Sequence, residues 1–287
     1  MKIGYFGFNN GPLGQPEAMQ RVLRCLEGTG FESAWTGEHV VLIDPQEPPS
    51  PVPPEFSMLD TVAALSFAAA CTSRLKLGSG IILLAQRNPV VLAKELSSVD
   101  VLSNGRLLFG VGVGYVKREF DVIGVPYAER GARVNEHIEA IRALWTQDKP
   151  EFAGQFTQIS GVQARPLPVQ SPHPPVIIGG MSAAGYRRAI AHGDGWYGFN
   201  QTEDDVSTSV EGLRQAASDA GQPARFDALD ISVTPRGPIT PDRVKQFEDL
   251  GVHRLILLPS PDMSSGASLL DATCQFIEST AEMLGLG

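Results

Sequence analysis

The segment from Leu75 to Phe120 constrains the fold more than any other part of this sequence. Its first part, Leu75–Leu84, is a nearly unbroken apolar run, which is typical of a strand buried on both faces. Residues 89–103 follow with helical periodicity, and an asparagine and a proline stand where a helix can begin. Residues 106–111 form a second apolar run. The segment therefore predicts a parallel strand-helix-strand unit.

Small residues lie at the carboxyl ends of both predicted strands. Ser79 and Gly80 belong to the first, and Gly112, Val113 and Gly114 follow the second. Parallel units of this kind bind ligands beyond the carboxyl ends of their strands. A flat ligand could lie against bare backbone there, so we expect these five residues to border a binding site.

Strand and helix patterns alternate along the whole chain. Strands are predicted at 2–8, 33–37, 75–84, 106–111, 175–178, 195–198, 229–234 and 254–258, and helices at 16–27, 58–72, 89–103, 132–145, 183–191, 204–220, 241–250 and 268–284. Eight strands with crossover helices predict a closed (β/α)8 TIM barrel, spanning 1–287 as a single domain. An open doubly wound sheet is the alternative, but its GxGxxG fingerprint is absent.

Composition narrows the class of protein. The formal net charge of -9 disfavours nucleic-acid and anionic-membrane partners. We find neither a signal peptide nor a membrane-spanning run, so we expect a cytoplasmic protein. The three cysteines and five histidines lack the spacing of metal or disulfide sites, and no metal is expected.

Two irregular segments interrupt the alternation. Residues 44–55 form a proline-rich loop after the second strand, and residues 147–174 are an insertion before the fifth. Loops at the carboxyl end of a barrel usually shape the pocket. We expect the first loop to form a pocket wall, whereas the position of the second is left open because it follows a helix.

The helix predicted from Met58 is apolar nearly all the way round. Ser57 and Asp60 suggest a capping box at its start. A surface helix of a monomeric barrel needs only one apolar face. A helix that is apolar all round needs burial on a second side as well, against another surface. We therefore expect a homodimer.

Two short motifs follow predicted strands and could carry chemistry. Glu38-His39 ends the second strand, where proton transfer to a ligand or a structural histidine bonded to backbone are equally plausible interpretations. The sequence Gly179-Gly180-Met181-Ser182 follows the fifth strand and opens a helix, as in a phosphate-binding site or an ordinary serine-capped turn. Arg130, Arg133 and Glu136 are spaced by three along one predicted helix, and they are interpreted as a solvated or structural ion-pair face.

With these residues identified, the chain resembles the bacterial luciferase-like superfamily, and within it the branch of coenzyme F420-dependent oxidoreductases. The matching pieces are GFESAWTGEH, LGSGIILLAQRNPVVLAKELSSVDVLSNGRLLFGVGVGY, PYAERGARVNEHIEAIRALW, RPLPVQSPHPPVIIGG and GDGWYG. Their order and spacing agree with the family over most of residues 1–199, while the last third agrees only in architecture.

The resemblance implies a flavin or deazaflavin in the mouth of the barrel. It implies that Glu38 and His39 face the reactive ring edge, and that Ser79-Gly80 forms a non-proline cis peptide and bulge behind the ring. Residues 112–115 would border the ring. Gly179, Gly180 and Ser182 would cradle the cofactor phosphate.

Two departures from the family bear on the substrate. Tyr115 stands where the sugar-phosphate dehydrogenases of this branch have a glutamate, and Ile43 where they have a tryptophan. A phosphosugar substrate is therefore not expected, and Tyr115 is a candidate hydroxyl donor.

Three functions remain open from the sequence. The first is hydride transfer between coenzyme F420 and a small organic substrate, with His39, Glu38 and Tyr115 as catalytic residues. The second is an FMNH2-dependent monooxygenase that uses oxygen. The third is a barrel that binds a flavin or deazaflavin without turnover.

Overall fold

Eight parallel strands close into a barrel in the computed structural model, which describes residues 1–259 and 267–287. The barrel strands are β1 (Lys2–Phe6), β2 (Ser33–Thr36), β3 (Lys76–Ser79), β5 (Leu107–Gly112), β8 (Val176–Gly179), β9 (Gly195–Gln201), β10 (Asp230–Pro235) and β11 (Arg254–Leu257). Pairing of β1 with β11 closes the cylinder, so the predicted barrel is confirmed and the open sheet is excluded.

Helices connect the strands on the outside. They are α1 (Pro16–Gly28), α2 (Thr61–Cys71), α3 (Pro89–Leu102), α4 (Lys117–Ile123), α5 (Arg130–Thr146), α6 (Ala183–His192), α7 (Glu203–Asp219), α8 (Pro223–Asp227), α9 (Pro241–Asp249) and α10 (Leu269–Leu284). The short helices α4 and α8 were not predicted, because each is too brief to show a helical period. In the described part of the chain, none of the helices is long and apolar enough to cross a membrane.

The core has two parts, as expected for a barrel wrapped by helices. The larger part lies between the strands and the helices. A smaller cluster fills the barrel interior, with one side chain from each of six strands: Phe6, Trp35, Leu108, Ile177, Tyr197 and Ile256. These interior side chains form the floor beneath the barrel mouth.

The third predicted strand is broken rather than continuous. It runs as β3 to Ser79, passes a cis peptide between Gly80 and Ile81, and resumes as β4 (Ile82–Leu83) before a 3-10 turn. We expected a cis peptide at Ser79-Gly80, and the bond lies one residue later. Because β4 pairs with β5 while β3 pairs with both β2 and β5, the strand bends at the barrel mouth.

Helix α2 begins at Thr61, three residues later than predicted. The carboxylate of Asp60 accepts hydrogen bonds from the amides of Val62 (2.9 Å) and Ala63 (3.1 Å), so Asp60 is the N-cap. The expected capping box with Ser57 is wrong, because Met58 lies outside the helix and forms a bridge with Asn10.

The proline-rich loop and the insertion lie at opposite ends of the barrel. Residues 44–55 connect the carboxyl end of β2 to α2. The insertion contains a hairpin of β6 (Phe152–Ala153) and β7 (Gln158–Ile159). Gln170, near its end, donates to the carbonyl of Leu107 at the amino end of β5. The end of the insertion therefore lies at the amino end of the barrel, away from the mouth.

Candidate active site

The candidate active site lies at the carboxyl end of the barrel. Because the strands are parallel, the segments that follow them meet at one face. Residues 37–41, 80–81, 113–115 and 180–182 converge there from β2, β3, β5 and β8. Four separated parts of the sequence thus supply one site.

His39 stands at this mouth between two polar groups. Its Nδ1 lies 3.2 Å from Oε2 of Glu119. Its Nε2 lies 3.5 Å from the hydroxyl of Tyr115, and the two rings meet edge to face at 5.9 Å. The structure thus brings together His39 and Tyr115, both expected at the site, and adds a carboxylate that the sequence analysis missed.

Glu119 is almost fully buried, at 1% side-chain exposure. It lies in the unpredicted helix α4 and also accepts a hydrogen bond from the amide of Val40 (3.1 Å). The one sequence signal for it was its position, four residues after Tyr115. That signal becomes useful only if residues 117–123 are recognised as a helix turned toward the mouth.

Glu38 does not face the same side as His39. Its carboxylate accepts from the guanidinium of Arg87 (3.2 and 3.0 Å) and from the amide of Leu83 (3.1 Å). Burial raises the pKa of Glu38, and the charge of Arg87 opposes the rise. Neighbouring residues in an extended segment point to opposite sides, so the side chain of Glu38 is turned toward Arg87 and away from His39. Its contact with a ligand stays a prediction.

Tyr115 is half exposed at the mouth. Burial raises the pKa of its hydroxyl, and the nearby carboxylate of Glu119 adds to the rise. The hydroxyl therefore stays protonated at neutral pH and can donate a hydrogen bond.

Ile81 occupies the hollow that the strand glycines leave. A Cβ at Gly112 would lie 2.1 Å from Cδ1 of Ile81, and one at Gly179 would lie 2.6 Å from the same atom. These glycines were expected to expose bare backbone to a flat ligand. They instead admit Ile81, a partly exposed side chain that the sequence analysis did not single out.

Ser79 is turned into the sheet and has no face toward the mouth. Its hydroxyl donates to the carbonyl of Gly110 and accepts from the Gly110 amide, both at 2.8 Å. Gly80, beside it, is partly exposed. The Gly80-Ile81 bend is thus more accessible than the Ser79 side chain, and a ligand contact at Ser79 stays a prediction.

Val113 and Gly114 border the mouth on the β5 side. Val113 is partly buried, and Gly114 has a φ of +76°, a left-handed conformation that favours glycine. A Cβ at Gly114 would lie 2.8 Å from the ring of Phe120. Gly114 therefore lets the chain turn toward Tyr115 while α4 packs beneath it.

The segment after β8 forms an open helix N-terminus. Ser182 caps α6 by accepting from the amide of Gly185 (3.2 Å). Gly180 has a φ of +131°, and a Cβ there would have no atom of the described residues closer than 3.9 Å. Met181 and Ser182 are both exposed. The first amides of α6 therefore face outward, where the helix dipole favours an anion.

Two arginines add positive charge beside this helix. Arg188, in α6, donates to the carbonyl of Gly131 (3.3 Å) at the start of α5. Burial lowers the pKa of Arg188, and so does the nearby charge of Arg130. Nε of Arg130 is buried and has no hydrogen-bond partner in the described part of the chain. Arg130 was interpreted as part of an ion-pair face, yet no described carboxylate pairs with it.

Exposed apolar side chains surround the mouth. They are Val40 after β2, Tyr115 after β5, Met181 after β8, Phe199 in β9 and Leu258 after β11. Phe199 packs on Phe6 of the barrel interior, with ring centroids 5.2 Å apart. A flat organic ring would find apolar contacts on several sides here. Among residues 1–259 and 267–287, no three side chains of the metal-binding kinds gather into a cluster that could hold a metal ion.

Comparisons with known proteins agree with this architecture. The family model described as luciferase-like monooxygenase matches residues 1–246. An uncharacterized protein of Mycobacterium tuberculosis (strain ATCC 25618 / H37Rv) is 30% identical over 270 residues, covering 91% of this chain and 92% of the relative. The FMNH(2)-dependent dimethylsulfone monooxygenase of Pseudomonas putida is 31% identical over 160 residues, covering 55% and 44% of the two chains.

A solved structure shares the fold over nearly the whole chain. An F420-dependent secondary alcohol dehydrogenase, in complex with an F420-acetone adduct, superposes with a TM-score of 0.80 at 16% identity, covering 99% of this chain and 98% of that one. The barrel and the mouth described above define a protein of the (β/α)8-barrel class. The chain belongs to the luciferase-like monooxygenase family.

Proposed function

We propose that this protein is an oxidoreductase that transfers a hydride between coenzyme F420 and a small organic substrate at the barrel mouth. The observation that carries the proposal is the polar group set of His39, Glu119 and Tyr115 above an apolar floor. The superposition with an F420-dependent alcohol dehydrogenase supports the choice of cofactor.

The residues at the mouth fit such a cofactor. The deazaflavin ring supplies the hydride chemistry when it is bound. Ile81 would lie behind the ring. Its side chain fills the space beside Gly112 and Gly179, where even a Cβ would clash with it. The open amides at the start of α6 would hold the phosphate, and the charge of Arg130, which lies near Arg188 of the same helix, would favour an anion there.

His39 and Tyr115 would serve the substrate. Nε2 of His39 is the edge of the ring that faces the mouth, so His39 would give or take the proton that accompanies hydride transfer. The protonated hydroxyl of Tyr115 would donate a hydrogen bond to a substrate oxygen. Glu38, held by Arg87, would support the β2 end rather than act in catalysis.

The apolar rim favours a neutral substrate over a phosphorylated one. Arg118 and Arg236, two cations near the mouth, are each within salt-bridge distance of a carboxylate, Glu47 and Asp205 respectively. The two family positions now held by Ile43 and Tyr115 point the same way. We infer that the substrate is a small, uncharged organic molecule.

An FMNH2-dependent monooxygenase is the second candidate. The dimethylsulfone monooxygenase relative supports it, since its identity to this chain reaches the same level as that of the mycobacterial relative. The two cofactors present similar rings and both carry a phosphate, so the same mouth could accept either one. A barrel that binds such a ring without turnover is the third candidate.

Titration with both cofactors tests the choice. Purified protein is titrated with coenzyme F420 and, separately, with FMN, and binding is followed by cofactor fluorescence. We expect tighter binding of coenzyme F420. Micromolar binding of FMN with no binding of F420 would favour the monooxygenase, and binding of neither would reject both enzymes.

A pair of variants tests the phosphate position. Leu at Gly180 would place a side chain in the open space before α6, on a backbone of positive φ. Gly180→Leu should weaken the binding of either cofactor. Gly221→Leu, also at positive φ but on the distant α7–α8 turn, controls for backbone strain. Equal affinities in the two variants would put the phosphate elsewhere.

A homodimer through α2 is also proposed. Ala64 and Ala68 are buried against the barrel, yet Ala63 and Ala70 on the opposite side of the helix are exposed. Val91, in the helix α3 that packs against α2, is exposed as well. A two-fold copy of the same surface is the simplest partner for it.

A further inference from the structure

We propose that Glu119 is a positioning residue that fixes the tautomer of His39, so that Nδ1 carries the hydrogen and Nε2 faces the mouth ready to exchange a proton. Only the proton-exchange role of Nε2 rests on the proposed function. The contact between the two side chains stands independently of any cofactor.

The polar group near Nδ1 of His39 is the carboxylate of Glu119. Nδ1 of His39 and Oε2 of Glu119 are 3.2 Å apart, which is within ion-pair distance. Both atoms are buried, and in the described residues neither is aligned for a hydrogen bond with the other or with any third group. Oε1, the other carboxylate oxygen, accepts from the amide of Val40. A carboxylate accepts hydrogen bonds and does not donate them when ionised, so it favours hydrogen on Nδ1.

The second edge of the ring is thereby left for chemistry. Nε2 is 3.5 Å from the hydroxyl of Tyr115, which is exposed at the mouth. The titratable groups that face the ring are Glu119 on one edge and Tyr115 on the other, since Glu38 is turned to Arg87. A proton would leave Nε2 for a substrate oxygen, and the imidazolium would become a neutral ring with its hydrogen on Nδ1.

Helix α4, which follows β5, contains Glu119 and gives this carboxylate its position. The helix carries the carboxylate to the back of the ring, and the Val40 amide fixes one oxygen so that the other meets Nδ1. Replacing a group that orients a histidine from behind typically costs about 10–100-fold in activity in metal sites, where this role is best measured. Here the tautomer itself can be observed.

The test is a long-range ¹H–¹⁵N spectrum of the purified full chain labelled with ¹⁵N-histidine, recorded without cofactor at a pH where the ring is neutral. The spectrum of His39→Asn identifies the His39 signal among the five histidines. We expect hydrogen on Nδ1 in the wild type. Hydrogen on Nε2, or a rapid mixture of both tautomers, would overturn the inference, and this measurement needs no variant at position 119.

Glu119→Gln gives a sharper outcome. Its amide oxygen can still accept from Val40, which turns the NH2 group toward Nδ1 and requires a lone pair there. The tautomer should therefore switch to hydrogen on Nε2. Asp121→Asn, an exposed carboxylate on the same helix that pairs with Lys117, should leave it unchanged. An unchanged tautomer in folded Glu119→Gln would refute the positioning role.

The result is separable from the cofactor question. Failure of coenzyme F420 to bind would reject the proposed reaction without altering the tautomer. A wrong tautomer with normal cofactor binding would reject only the role of Glu119.

Discussion

Gly112→Ala tests the idea that the strand glycines exist to admit Ile81. The new Cβ would lie 2.1 Å from Cδ1 and 3.1 Å from Cγ1 of Ile81, whereas ordinary contact begins at 3.4 Å. The end of Ile81 must therefore retreat by about 1.3 Å, the difference between 3.4 and 2.1 Å. The backbone at Gly179 closes the other side, so the side chain can only move outward into the mouth.

The expected cost follows from this geometry. Overpacking by one methyl group typically costs about 1–3 kcal/mol. In a chain of this length each kcal/mol lowers the Tm by roughly 2–4 °C. Because Ile81 would move toward the position proposed for the cofactor ring, the affinity for coenzyme F420 should fall as well, by about tenfold for each 1.4 kcal/mol lost.

Thermal melts followed by circular dichroism and fluorescence titrations with coenzyme F420 measure both effects. Gly28→Ala is the matched control, since within residues 1–259 and 267–287 a Cβ there would meet nothing within 4 Å. The double variant Gly112→Ala/Ile81→Val removes Cδ1 and should recover most of the lost Tm. A wild-type Tm in Gly112→Ala, or no recovery in the double variant, would refute the packing argument.

Three further outcomes are expected. His39→Ala should lower turnover by about 10²–10⁴-fold while cofactor affinity stays nearly constant, and a loss of affinity at normal turnover would instead make His39 a binding residue. Ala63→Arg, on the exposed side of α2, should shift a dimer to a monomer in sedimentation, and a monomeric wild type at micromolar concentration would reject the interface. A 2.7 Å hydrogen bond from Arg243 holds the pKa of Glu203 below its usual range, and partial burial opposes this. Its stabilising contribution is therefore present at neutral pH and lost as the pH falls through the folded pKa, so the difference in urea midpoint between the wild type and Glu203→Gln should shrink as the pH is lowered from neutral to below the usual pKa of 4.5.

The sequence by itself determined the architecture. The strands appear as apolar runs bounded by glycine, and the helices appear as helical periods between them. Both patterns depend only on residues that are close in the sequence, so they can be recognised without the tertiary structure. The start of α3 at Pro89 and the serine cap of α6 at Ser182 were readable for the same reason, because each depends on residues within one turn. The family resemblance also located the mouth.

The partners of the site residues were decided only by the tertiary structure. Glu38 and His39 are adjacent, yet one pairs with Arg87 and the other lies beside Glu119, at sequence distances that no local pattern encodes. Ile81 fills the space above Gly112 only because β3 bends at the mouth and the barrel closes around it. Side-chain direction at a strand end is set by the backbone turn and by the elements that pack behind it, and these exist only once the barrel has formed.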